Sequence, residues 1–165
     1  MLTDKDRLAF YKDKKIIGID PGNAGGGIAV YSITQGRIIE TVYNRDLTPR
    51  DLYDMFKCYR NNCSAYLERV GGMPGQSGMG MFRFGKNVGH LEMALIANGI
   101  PFEDLLPQVW QKSYNLGVRG KRSKTEWKNV LKSHAQQLYP SIKITNEIAD
   151  AILLMEYGRR KESTI

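Results

Sequence analysis

Three short apolar runs, KIIGID from Lys15, IAVYSI from Ile28 and RIIETVY from Arg37, follow one another with only turn-forming residues between them. No helix fits in gaps that short, so this part of the chain reads as three strands paired as an antiparallel meander. The first run is apolar on both faces, as a strand buried inside a sheet is. PGNAGGG turns the chain after it, and Gln35-Gly36 is a hairpin signal before the third run. Beyond them strand and helix signals alternate. Thr48 supplies a capping hydroxyl and Pro49 the first helical position of a helix that carries Leu52, Met55, Phe56 and Tyr59 at helical spacing. SAYLERV reads as a fourth strand and IPFEDLL as a fifth; between them GGMPGQSGMGM is expected to be a mobile loop. LEMALIAN lies in a helix that begins near Phe84 and that Gly99 ends. PQVWQKS is a short helix, Ser123 and Glu126 form a capping box for a helix reaching Leu138, and a last helix covers Asn146 to Arg160. The order βββ-α-β-α-β-α-α predicts an α/β protein, a mixed five-stranded sheet flanked by helices. At 165 residues the chain is expected to form a single domain over 1–165.

Composition acts mainly by exclusion. With 42% hydrophobic and 25% charged residues the chain has the make-up of a packed protein and not of a disordered tail. No run approaches the roughly 18 uninterrupted apolar residues that suggest a membrane span, and MLTDKDRLAFYKDKK lacks the apolar centre of a secretory signal. Two cysteines, Cys58 and Cys63, are too few for a disulfide framework or a structural zinc site, so a reducing, intracellular setting is expected. The formal charge of +7 attracts a polyanion, because phosphate contacts release condensed counterions; a modest net charge also serves plain solubility.

Three acids stand where acids are costly. Asp20 ends a strand apolar on both faces, Glu68 ends Ala65-Tyr66-Leu67 in a second such strand, and Asp150 lies in IADAILLM, a helix apolar nearly all round. A buried, unpaired carboxylate costs several kcal/mol, so each must find an arginine, a backbone cap or a metal ion. Three acids converging from separate elements would repel unless a cation sat between them. Glu147, one turn before Asp150, adds a fourth on the same helix face. Clustered carboxylates suit Mg²⁺, with Mn²⁺ as a substitute.

IIGIDPGNAGGGIAVY, YLERV, FGKNVGHLEMALIANGIPFEDLLPQVW and EIADAILLMEYGRR, in that order over roughly residues 15 to 160, resemble the RuvC-type Holliday-junction resolvases. The long glycine-rich GGMPGQSGMGMFRF is similar to the bacteriophage branch of that family, whose members can be less strict about the branched structure they cut. The resemblance implies an RNase H-like fold, a homodimer with the helix around residues 85 to 98 at its interface, and two metal ions per site. It further implies that Asp20 bridges both ions, that Glu68 holds one, and that Glu147 and Asp150 complete the catalytic set. Paired nicks across a branched DNA substrate, leaving 5′-phosphate and 3′-hydroxyl ends, would follow, with no organic cofactor and no membrane partner. The location would be cytoplasmic, at the nucleoid or in a host cell if phage-encoded.

The richest basic stretch is VRGKRSKTEWK, with Arg119, Lys121, Arg122, Lys124 and Lys128 on a loop and helix start. It is a candidate phosphate contact, or else a solvated charged face; Arg83, Lys112 and Lys132 are weaker candidates. Phe82, with Met79, Met81 and Phe84, borders the glycine-rich loop and either wedges between bases at a branch point or packs against the following helix. His90 and His134 read as ordinary helical residues, and Trp110 and Trp127 as core or interface. Three other functions stay open. A strand with Asp-x-Gly also opens sugar-kinase and actin-like ATPases, which need a second domain. The same acids would serve a nuclease acting on structured RNA, and the chain could also bind junctions without cutting them.

Overall fold

The computed structural model describes residues 13–22, 26–71, 75, 77–117 and 119–163. The lead-in before residue 13, the middle of the PGNAGGG turn, and positions 72–74 and 76 of the glycine-rich run, where mobility was expected, lie outside them.

The three opening runs form β1 (Lys15–Asp20), β2 (Gly27–Ser32) and β3 (Arg37–Tyr43), and the meander is antiparallel as expected. β4 (Cys63–Glu68) and β5 (Phe102–Leu105) then add in parallel on the other side of β1, giving the order β3-β2-β1-β4-β5. Every residue of β1 is buried because it is the central strand with helices over both faces. The helices are α1 (Pro49–Tyr59), α2 (Gly78–Ala97), α3 (Pro107–Lys112), α4 (Lys124–Leu138) and α5 (Asn146–Ser163). Both capping boxes form: the hydroxyls of Thr48 and Ser123 accept from Asp51 and Glu126 N–H, and those acids accept from the cap N–H groups in return.

Successive residues of a strand point to opposite faces. Ile17, Ile19, Ile28, Val30 and Leu67 therefore meet Leu52 and Phe56 of α1 and Leu91 and Leu95 of α2. On the other face Ile16, Ala29 and Tyr66 meet α5, backed by Trp110 of α3 and by Trp127 and Leu131 of α4. Ile152, Leu153, Leu154 and Met155 on successive positions of α5 are wholly buried, each contributing about 1.5–3 kcal/mol. Their burial answers why this helix is apolar all round. α5 also comes closer to the sheet than side chains normally allow. A Cβ on Gly18, in mid-β1, would lie 2.1 Å from the Ala151 carbonyl oxygen and 2.3 Å from the Met155 nitrogen. A Cβ on Gly158 would strike the Tyr66 ring in the same way.

Strand ends shift by one or two residues from expectation, and two helix boundaries differ by three or more. α2 starts at Gly78, not near Phe84, because Ser77 caps it by accepting from Gly80 N–H, which offsets the weak helix propensity of Gly78 and Gly80. α5 runs on to Ser163, three residues past Arg160. Among the described residues three helices follow β5 once the short α3 is counted, and a 3-10 turn over Asn44–Asp46 was not foreseen. Among the described residues no helix is long and apolar enough to cross a membrane.

Candidate active site

Parallel pairing sets Ile19 opposite Leu67, so Asp20 and Glu68 end neighbouring central strands at the same edge. Strand alternation turns both toward the α5 face, with Gly18 and Tyr66. Crevices outside the carboxyl ends of parallel strands are where α/β folds hold ligands. The close seat of α5 on Gly18 brings Asp150 to the same place. Asp20 and Asp150 are buried, at 6% and 8% exposure, and Glu68 is half-buried.

The three carboxyls act on one another. Burial, then the facing Asp150, pushes Asp20 up to about 7, against the Gly22 N–H that donates to its Oδ1 at 3.0 Å. Burial, then Asp20 and Asp150, pushes Glu68 up to about 8. Asp150 is raised by burial as well. The opposing influence is Lys128 of α4, whose Nζ lies 3.9 Å from Asp150 Oδ2, with Lys124 acting on Asp20 and Asp150 in the same sense.

Glu147 is placed differently. It sits at the rim in the first turn of α5, 3.9 Å from Arg45 Nη1. The Thr145 side chain first, then its own backbone N–H, Arg45 and Lys128, hold its carboxyl below the ordinary range. It is not among the groups that shift Asp20, Glu68 or Asp150. Sharing a helix face at i, i+3 spacing thus did not give the two acids one environment, because only Asp150 faces the sheet.

The basic stretch divides likewise. Lys124 and Lys128 face the acids, whereas Arg119, Lys121 and Arg122 are exposed on the loop before α4. There Arg119 Nε donates to the Arg122 carbonyl at 3.0 Å and the Arg122 guanidinium lies 5.8 Å from the Trp127 ring centre. Phe82, Met79 and Arg83 are exposed on α2, so packing against the helix does not account for Phe82 or Met79. His134 lies against the Tyr114 ring on α4.

Three contributors, Asn44, Asn87 and Arg45, were not singled out in the sequence, and a fourth, Trp110, was read only as core or interface. Asn44 Nδ2 donates to the Asp20 carbonyl at 2.5 Å and to Gly22 O at 3.3 Å, clamping the turn after β1 from the 3-10 turn after β3. Asn87 Nδ2 of α2 reaches the next carbonyl, Pro21 O, at 2.8 Å. Arg45 partners Glu147, and Trp110 Nε1 donates to Glu68 Oε1 at 3.1 Å. An asparagine or tryptophan in an ordinary run carries no local mark of such contacts; Arg45, near the end of β3, had a basic side chain as its only signal.

Two solved structures share this architecture. One is Thermus thermophilus RuvC in complex with a Holliday junction substrate, with a TM-score of 0.61 at 14% identity. The other is a Thermus thermophilus RuvC structure with a TM-score of 0.58, also at 14% identity. Each match covers 90% of this chain and 96% of the other. The fold is RNase H-like. Identity this low carries the fold and nothing finer, and both matches are bacterial, which lends nothing to the bacteriophage branch. No protein-family model and no curated protein sequence matches the chain.

The donor set fits a hard divalent cation: carboxylates only, desolvated and mutually repelling, with an ammonium 3.9 Å from one of them. Among the described residues no three His, Cys, Asp or Glu side chains are drawn together tightly enough to enclose an ion as they stand. A bound cation would be expected to draw the three carboxylates together.

The raised carboxyls set a pH dependence. Unfolded carboxyls titrate near about 4, the folded Asp20 and Glu68 at about 7 and about 8. Between those values the folded protein binds more protons than the unfolded chain, so these groups make metal-free stability fall as pH rises from about 4 to about 8. The thermal midpoint without metal is expected to drop between about pH 5 and about pH 8.5, and saturating Mg²⁺ to flatten that slope by replacing the lost protons. A metal-free midpoint that stays level over this range would contradict the mutual repulsion described here.

Proposed function

We propose that the chain is a metal-dependent, structure-selective endodeoxyribonuclease that resolves Holliday junctions and other branched DNA by paired nicks leaving 5′-phosphate and 3′-hydroxyl ends. The observation that carries this reading is the convergence of Asp20, Glu68 and Asp150 from two central strands and a buried helix. The fold shared with a RuvC whose structure holds a Holliday junction substrate supports the choice of branched DNA.

In this reading Asp20, Glu68 and Asp150 would hold the metal, and Glu147, paired with Arg45 at the rim, would complete the set. Two Mg²⁺ ions, or Mn²⁺ in their place, would supply Lewis-acid activation of water and stabilisation of the leaving 3′-oxygen. The chain's own residues do the rest. The Gly22 N–H and the Asn44 clamp hold Asp20 and its turn in place. Lys128 and Lys124 offset the charge of the acids, and with ions bound they would be able to meet the phosphate of the cut strand. Arg119, Lys121 and Arg122, with Arg83 across on α2, contact the backbone phosphates of the arms. Phe82, 68% exposed near the start of α2, is the side chain available to wedge between bases.

Paired nicks require two sites, and α2 offers the surface for a second copy. Met93 and Ile96, at 59% and 58% exposure, continue the line of Phe82 along the helix, and Gly89, between Phe82 and Met93, leaves room for close approach. Met93→Glu would bury a charge in such an interface and is expected to weaken dimerisation at least about 100-fold. Sedimentation of wild type and variant measures it, and an unchanged dimer would move the interface elsewhere.

The functional test is cleavage of an end-labelled immobile four-way junction, a Y-fork, a linear duplex and a stem-loop RNA, each with Mg²⁺, Mn²⁺ or EDTA. Symmetric, metal-dependent nicks confined to the junction are the expected result. Equal cutting of the fork would make the protein a general debranching nuclease. RNA-only cutting would assign it to structured RNA, and junction binding without cutting would make it a binding protein.

A further inference from the structure

β5 lies beside β4 with Leu105 opposite Glu68, and Pro107 starts α3 almost at once. That short connection folds Trp110 back over the end of β4. Its side chain is wholly buried, and its indole N–H points at Glu68 Oε1, 3.1 Å away. A buried indole N–H needs an acceptor, and here the acceptor belongs to the acid cluster. Trp110 is itself held rigidly. Its ring meets Tyr114 edge-on at 6.4 Å, and the Tyr114 hydroxyl donates to the Leu153 carbonyl of α5, the helix that carries Asp150. Indole is a donor only: it neither takes up a proton nor competes for a cation. Glutamate has one more rotatable bond than aspartate, so of these acids Glu68 has the most freedom to lose.

We infer that Trp110 is a positioning residue that fixes the Glu68 carboxylate through its indole N–H, so that Glu68 would be presented to a bound ion in one orientation. The inference rests on the metal-dependent reading above. Orienting partners of this kind typically change metal affinity 10–100-fold when removed. Trp127, whose N–H donates to Gln111 Oε1 at 3.2 Å, ties α4 to α3 without touching an acid and is the matched control.

Mn²⁺ binding to the full-length protein, followed by the electron spin resonance of the free ion, tests this without turnover. Trp110→Phe keeps an aromatic ring and loses the N–H; it is expected to bind Mn²⁺ about tenfold more weakly, while Trp127→Phe is expected to bind it as wild type does. A second arm does not depend on Trp110→Phe folding. In Trp127→Phe, Trp110 is the sole indole, and its emission is expected to shift with Mg²⁺, and not to shift when Asp20→Asn is added. Unchanged Mn²⁺ affinity in a folded Trp110→Phe, or Trp110 emission indifferent to Mg²⁺, would overturn the inference alone if Asp20→Asn still weakens Mn²⁺ binding. Mn²⁺ affinity equal in wild type and Asp20→Asn would overturn the metal reading and this inference with it.

Discussion

Asp20→Asn is expected to lower junction cleavage at least about a thousandfold, roughly 4 kcal/mol of transition-state stabilisation, while junction binding stays equal or tightens. The amide matches the carboxylate in shape and can still accept from Gly22 N–H, so the turn after β1 keeps its form. What disappears is a negative charge at the end of the central strand, the one that pushes up Glu68 and is pushed up by Asp150. A metal site loses an anionic ligand, and nearby DNA phosphate loses a repulsive neighbour. The same change relieves the metal-free fold, so the variant is expected to melt higher than wild type above about pH 8, where the three acids would otherwise all be charged. Gel-shift titration in Ca²⁺, single-turnover cleavage and thermal melts measure the three effects. Wild-type cleavage by the variant would remove Asp20 from the site altogether.

The second large effect is structural. Gly18→Ala places a methyl group within 2.3 Å of two backbone atoms of α5, the Ala151 oxygen and the Met155 nitrogen. A flexible side chain could move aside; a buried helix backbone against a central strand cannot without lifting α5 off β1. The expected cost is about 3 kcal/mol or more, at the upper end for overpacking, or a fall in melting temperature of about 6–12 °C for a chain of this size. Lifting α5 also withdraws Asp150 from Asp20, so the surviving folded protein should bind Mn²⁺ more weakly. Gly71→Ala, at an exposed position with nothing within 4 Å of the added methyl, is the control and should be neutral within about 0.5 kcal/mol. A Gly18→Ala protein as stable as that control would mean that the helix and strand are not in the contact described.

The sequence by itself determined the order and kind of the elements, because their signals are local. Thr48 with Asp51 and Ser123 with Glu126 cap their own helices, Gln35-Gly36 closes its own hairpin, and alternation along β1 and β4 says which residues share a face. It also exposed Asp20, Glu68 and Asp150, since a carboxyl inside an apolar run is conspicuous wherever the run ends up. What it could not decide was which groups meet across the fold. Glu147 and Asp150 look equivalent on paper, but α5 turns one toward Arg45 and the other toward the sheet. Lys124 and Lys128 look like two more phosphate ligands among five, until α4 packs beside α5 and points them at the acids. Trp110 carries no mark of its bond to Glu68, and Gly18 none of the helix lying on it. Such contacts join residues tens of positions apart at distances of a few ångströms, and only the packing of helices on the sheet sets those distances.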